Sequence, residues 1–168
     1  MAEYYAAFNC LGQEFSSEVD VTPFLSTHIE AQLHQVRALD LRENIQRQIW
    51  TALEHLTEET NLHPRVANAL WDAFFGRTVT AGYYRSLADV SPATATKDLA
   101  ATVSSGLLMA QGRRRGRRYG ATEQLFEAVG GILSIEVTGP PTVARDRITS
   151  ELSRRVTLMG EALGLTKT

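Results

Sequence analysis

Apolar residues in this chain recur at spacings of three and four over most of its length, and alternate only briefly. Tyr4, Tyr5, Phe8 and Leu11 share one side of a short helix expected over residues 3–13. A polar connector follows. Thr22 is placed to cap a helix and Pro23 to open it. Phe24, Leu25, Ile29, Leu33 and Val36 extend an apolar stripe to about residue 41. The stripe either ends there or joins a helix over 43–56, with Ile45, Ile49, Trp50, Leu53 and Leu56 inward. The run TEETN at 57–61 reads as a break. His63-Pro64 then opens a helix to about residue 75, with Val66, Leu70, Phe74 and Trp71 apolar and Gly76 ending it.

The next stretch, 78–119, sets the expected architecture. Thr78-Val79-Thr80 suggests a short strand. A helix over 81–87 would place Tyr84 and Leu87 in the core, and Ala88, Asp89 and Val90 form a turn. Ser91 is a good N-cap and Pro92 fits the first helical position, where a missing N–H costs nothing. The second helix runs to about residue 104 and buries Ala95, Leu99 and Val103, which recur every four residues. Gly106 suits a left-handed helix end. Leu107, Leu108 and Met109 start a strand, Gly112 and Gly116 bracket a turn, and 117–119 return as the partner. The pattern is a helix-turn-helix followed by a two-stranded wing.

Beyond Gly120 the pattern predicts a helical turn or two over 122–129 and a strand over 132–137 (ILSIEV). Gly139-Pro140-Pro141 is a stop. Thr142 would cap a last helix over 143–163, with Ile148, Leu152, Val156, Met159 and Leu163 as its stripe. Such a stripe needs an apolar partner, so a homodimer through 148–163 is one expectation. The fold expected is mainly α with a small β wing: a helical segment at 1–60, a winged helix-turn-helix at 61–120, and a strand-helix extension at 121–168.

Composition narrows the chemistry. A 43% hydrophobic share in 168 residues can bury a core. The single cysteine, Cys10, permits no internal disulfide and leans toward a reducing cytoplasm; it reads as a small core residue. No apolar run approaches the ~20 residues of a membrane span, and no secretory signal opens the chain. His28 and His34 are six apart and point to different sides of a helix, so they form no metal pair. No catalytic group, cofactor or metal site is expected.

Charge points to a ligand. Residues 76–120 hold eight Lys or Arg against two Asp, while 1–75 hold four against eleven and 121–168 five against six. A chain of net charge −2 therefore gathers a local +6 in one 45-residue segment. In a helix-turn-helix the start of the second helix meets base edges in the major groove. Here that start is Ser91, Pro92, Ala93, Thr94, Thr96 and Lys97, without an Arg, Asn or Gln for a bidentate base contact. The wing adds Arg113, Arg114, Arg115, Arg117 and Arg118, suited to phosphates or a minor groove. These eleven residues form the expected double-stranded DNA interface.

Two stretches resemble a known family. Thr80, Tyr84, Leu87, Val90, Ser91, Thr94, Ala95, Asp98, Leu99, Val103, Gly106 and Leu108 are similar to the winged helix-turn-helix at the C-terminus of many Fic-family proteins. Tyr4, Tyr5, Ala7, Asp20, Thr22, Pro23 and Phe24 are similar to the close of a Fic domain. The resemblance implies a C-terminal portion of a longer Fic-like protein, with a catalytic domain upstream. The HPFxxGNGR loop of the family is absent. His63-Pro64-Arg65-Val66-Ala67-Asn68 shares only the opening dipeptide and has no glycine to form an anion nest. The expected function is a non-catalytic, DNA-binding regulatory module. The alternative is an interaction or dimerisation scaffold that controls an attached AMP-transferring Fic domain.

Overall fold

Apolar spacing of three and four builds six α-helices among the residues that the computed structural model describes, 6–11, 18–113 and 116–162. They are α1 (Thr22–Glu59), α2 (Ala67–Phe74), α3 (Ala81–Ala88), α4 (Pro92–Ser104), α5 (Glu123–Ile132) and α6 (Pro141–Ala162). Three strands, β1 (Val79–Thr80), β2 (Leu108–Gln111) and β3 (Arg118–Ala121), form an antiparallel sheet in the order β1-β3-β2. The mainly α fold with a small β wing is as expected. The chain divides into two compact units, Met1–Glu43 and Asn44–Thr168.

In the first unit, Phe8–Leu11 forms a 3-10 turn, and Phe8 meets the edge of Phe24 at 4.9 Å between ring centroids. Cys10 is only partly buried, not a core residue, and its thiol donates to the Ala7 carbonyl at 3.0 Å. Asp20, not Thr22, caps α1: its Oδ1 accepts the Thr22 N–H at 2.9 Å. Bonds from the Thr22 hydroxyl and amide hold the Asp20 carboxyl below its usual range. The apolar stripe at the start of α1 is not buried: Leu25, Ile29, Leu33 and Val36 are 44–61% exposed. No described residue of this unit is buried.

The second unit holds the core. Ile49, Leu53 and Leu56 of α1 pack with Val66, Leu70 and Phe74, with Tyr84, Leu99 and Leu108, and with Phe126, Ile148 and Leu152. These residues lie on both sides of positions 60 and 120. The TEETN run does not break the helix at its start. Thr57 is buried, with its hydroxyl donating to the Glu54 carbonyl at 2.7 Å, and the reversal comes at Asn61, φ +53°. His63 Nδ1 accepts the Arg65 N–H at 3.3 Å and caps a 3-10 turn, Pro64–Val66, which precedes α2.

Two neighbouring tyrosines fasten α3. Tyr84 donates to Asp98 Oδ2 at 3.0 Å, and Arg65 grips the same carboxylate with Nε at 2.7 Å and Nη2 at 3.1 Å. Tyr83 donates to Asp72 Oδ2 at 2.7 Å, and Arg77 reaches Asp72 Oδ1 at 3.2 Å. Leu87, expected in the core, is exposed, and Val103 is only half-buried. Asp98 and Thr102 fill the inward face of α4 beside Ala95 and Leu99, and the Thr102 hydroxyl donates to the Asp98 carbonyl.

The expected strand over 132–137 is absent. Ile132 ends α5, and 133–138 is irregular. The segment turns back on its own helix: the Ile135 N–H donates to the Gly130 carbonyl at 2.8 Å, and Ile135 and Val137 are buried. Gly130 allows this, because a Cβ there would lie 2.7 Å from the Ile135 carbonyl oxygen. Arg155 takes the Leu133 and Ser134 carbonyls at 2.8 and 2.9 Å. Arg154 and Arg155 also hold the Glu151 carboxyl down to about 2. α6 starts at Pro141, so Thr142 is not its cap. Its stripe divides: Ile148 and Leu152 are in the core, Val156 is half-buried, Met159 is 65% exposed, and Leu163 lies outside the described residues.

Burial opposes ionisation of Asp98, but hydrogen bonds from Arg65 and Tyr84 outweigh it and hold the carboxyl below its usual range. Asp98→Ala strands the buried Tyr84 hydroxyl, a loss of ~1–3 kcal/mol. The Arg65 side chain is 27% exposed and turns to water, so the total stays at about 2–4 kcal/mol, under the ~3–5 of a sealed pair. Urea unfolding measures this. Because the folded carboxyl titrates below its unfolded value, its contribution is complete above about pH 4 and drains as pH falls through the folded value. Asp98→Asn flattens that acid limb of the stability–pH profile.

Candidate nucleic-acid interface

The second helix of the helix-turn-helix is positioned by its N-cap and by the turn before it. Asp89 adopts the left-handed conformation, φ +49°, and its N–H donates to the Arg85 carbonyl, ending α3. Ser91 Oγ accepts the Thr94 N–H at 3.1 Å and lies 2.9 Å from the Thr94 hydroxyl. Pro92 stands at the start of α4 as expected. Pro92, Ala93, Thr96 and Lys97 are exposed, as are Ala100, Ala101 and Ser104 further along. Thr94 is half-buried, and the Thr96 hydroxyl donates back to the Pro92 carbonyl at 2.9 Å. The open face of α4 is therefore small and mostly apolar, with Lys97 its one cation.

The wing follows from the glycines that bracket it. Gly106, φ +79°, lies just past α4. Leu108 pairs with Ala121, Met109 with Gly120, Ala110 with Tyr119 and Gln111 with Arg118. β1 adds the third strand, Thr80 opposite Arg118 and Val79 opposite Tyr119. Tyr119 points inward and Arg118 outward, as strand alternation requires. At the tip Gly112 has φ +81°, and a Cβ there would lie 2.8 Å from the Gly116 carbonyl oxygen. That approach excludes any other residue. Arg113, Arg117 and Arg118 are exposed; Arg114 and Arg115 lie outside the described residues.

These cations are not cancelled internally. Among the described residues, none of Lys97, Arg113, Arg117 and Arg118 makes an ion pair or side-chain hydrogen bond. Arg85 on α3, not selected from the sequence, is also exposed and unpaired among the described residues. Its signal was present: a first helix of this motif crosses the phosphate backbone, and Arg85 is the charge it carries. Of the two acidic residues in 76–120, Asp98 is spent on Arg65 and Asp89 sits exposed in the turn.

Clefts elsewhere supply less chemistry. One of about 160 Å³ between α2, β3 and the start of α6 is lined by Arg77 and Arg145, with no histidine, cysteine or carboxylate. Another, beside α1, carries His55 and Glu58, 4.0 Å apart and more than half exposed. No group of three His, Cys, Asp or Glu converges among the described residues. No described helix is long and apolar enough to cross a membrane. Compared with known families, with curated proteins and with solved structures, the chain shows no match.

Exposed side chains without partners contribute little to stability, typically within about 0.5 kcal/mol. Arg113→Ala, Arg117→Ala and Arg118→Ala, combined with Lys97→Ala, should leave the thermal midpoint of the protein within about 3 °C of the parent in a melting experiment.

Proposed function

We propose that the protein is a duplex-DNA-binding winged-helix module that acts in regulation and does no chemistry of its own. The observation that carries this reading is the set of exposed cations on one contiguous motif that are unpaired among the described residues: Arg85 on α3, Lys97 on α4, and Arg113, Arg117 and Arg118 on the wing. Clustered like charge adds nothing to folding, and its field attracts a polyanion. A module of this kind fits within a longer Fic-like protein or beside an AMP-transferring domain.

The test is fluorescence anisotropy with a random duplex of about 25 base pairs at two salt concentrations. Binding should weaken steeply with salt. Each phosphate contact removed by Arg→Ala at 113, 117 or 118 should lower the log–log salt slope by about 0.9. Absence of binding at low salt would overturn the reading.

A second reading, a self-association scaffold, has its own observation. Leu158 and Met159 on the last turns of α6 are 49% and 65% exposed, beyond the residues that fill the core. A dimer formed there should dissociate in the Leu158→Glu, Met159→Glu double variant, as read by sedimentation velocity across a concentration series.

A further inference from the structure

We propose that the wing reads A·T-rich duplex from the minor groove, and that α4 seats in the major groove without choosing bases by hydrogen bonding. The inference rests on the duplex-binding reading above and names the ligand class for that same surface.

Base selection in the major groove needs side chains that present two polar atoms at once, such as Arg to guanine or Asn and Gln to adenine. The exposed face of α4 offers Pro92, Ala93, Thr96, Lys97, Ala100 and Ala101. The hydroxyl protons of Thr96, and of Ser91 or Thr94, are held inside the helix start. What remains is one flexible ammonium, suited to phosphate, a single hydroxyl proton of the Ser91–Thr94 pair, and a set of methyl groups. Methyl groups favour the thymine C5-methyl and gain nothing from a G·C pair.

The wing has the complementary character. Its tip is stripped of side chains at both corners by Gly112 and Gly116, so the ribbon is thin where Arg113 and Arg117 leave it. Every cation of the wing is an arginine. A guanidinium is more weakly hydrated than an ammonium and loses less on entering a confined groove. A·T tracts narrow the minor groove and deepen its negative potential, whereas a G·C pair places the guanine N2 amine on its floor. A surface that meets the major groove with methyls and the minor groove with arginines is therefore matched to A·T from both sides.

The experiment compares four duplexes of equal length against the whole chain: A·T-rich, G·C-rich, the G·C sequence with inosine for guanine, and the A·T sequence with uracil for thymine. Inosine removes the minor-groove amine while keeping the major-groove edge of guanine. Uracil removes only the thymine methyl. The A·T duplex should bind on the order of tenfold tighter than the G·C duplex, and the inosine duplex should recover most of that difference. The uracil duplex should lose only a small part of it. Arg113→Ala with Arg117→Ala should erase the preference, whereas Lys97→Ala should weaken all four duplexes equally. Equal binding of the A·T and G·C duplexes, or inosine binding like guanine, would overturn the inference while duplex binding itself stands. No salt-sensitive binding to any duplex would remove both.

Discussion

The Asp98 carboxylate is the point on which the helix-turn-helix depends. It lies on the inward face of α4, 7% exposed, and collects one hydrogen bond from Tyr84 on α3 and two from Arg65 ahead of α2. A single carboxylate thus joins three elements that are far apart in sequence. Burying it is costly, and the cost is offset because both oxygens are filled and the arginine supplies the opposite charge. Tyr84 moves in the other direction: burial first, then the Asp98 carboxylate, raise its hydroxyl well above the usual phenol range against the opposing pull of Arg65, so it stays a donor.

The second carboxylate repeats the device one layer away. Asp72 of α2 takes the Tyr83 hydroxyl and an Arg77 nitrogen. Tyr83 and Tyr84 are consecutive, so on a helix they diverge by about 100° and reach two different neighbours. A short helix of eight residues, too short to hold itself in water, is held between α2 and α4 by two aspartates.

Sequence reading succeeded where the signal was local. The start of α4 at Ser91-Pro92, the glycine after it and the wing turn at Gly112 each follow from a few adjacent residues. It failed where the deciding partner was remote. Asp98 matched a motif, but nothing near it in sequence marked it as buried or named its partner, because Arg65 lies 33 residues away. The ILSIEV run alternates like a strand, yet Gly130 and Arg155 turn it into a loop that covers its own helix. Apolar spacing on α1 gave a helix correctly but could not reveal that Leu25, Ile29, Leu33 and Val36 stay exposed among the described residues. For the interface, the residue types were legible and their freedom was not. Only the structure separates Lys97, which is unpaired among the described residues, from Thr96, whose hydroxyl is already occupied.

Thr122 stands at the seam between the wing and the C-terminal helices. Its one hydroxyl proton is shared between the carbonyls of Gly106 and Leu107, at 2.6 and 3.0 Å, and its oxygen accepts the Leu125 N–H that starts α5. The bond that closes the base of the wing and the bond that begins the next helix therefore use the same atom. The Thr122 N–H also donates to the Leu107 carbonyl at 3.3 Å, so the base of the wing and the first turn of α5 are joined at one residue, through its backbone as well as its side chain.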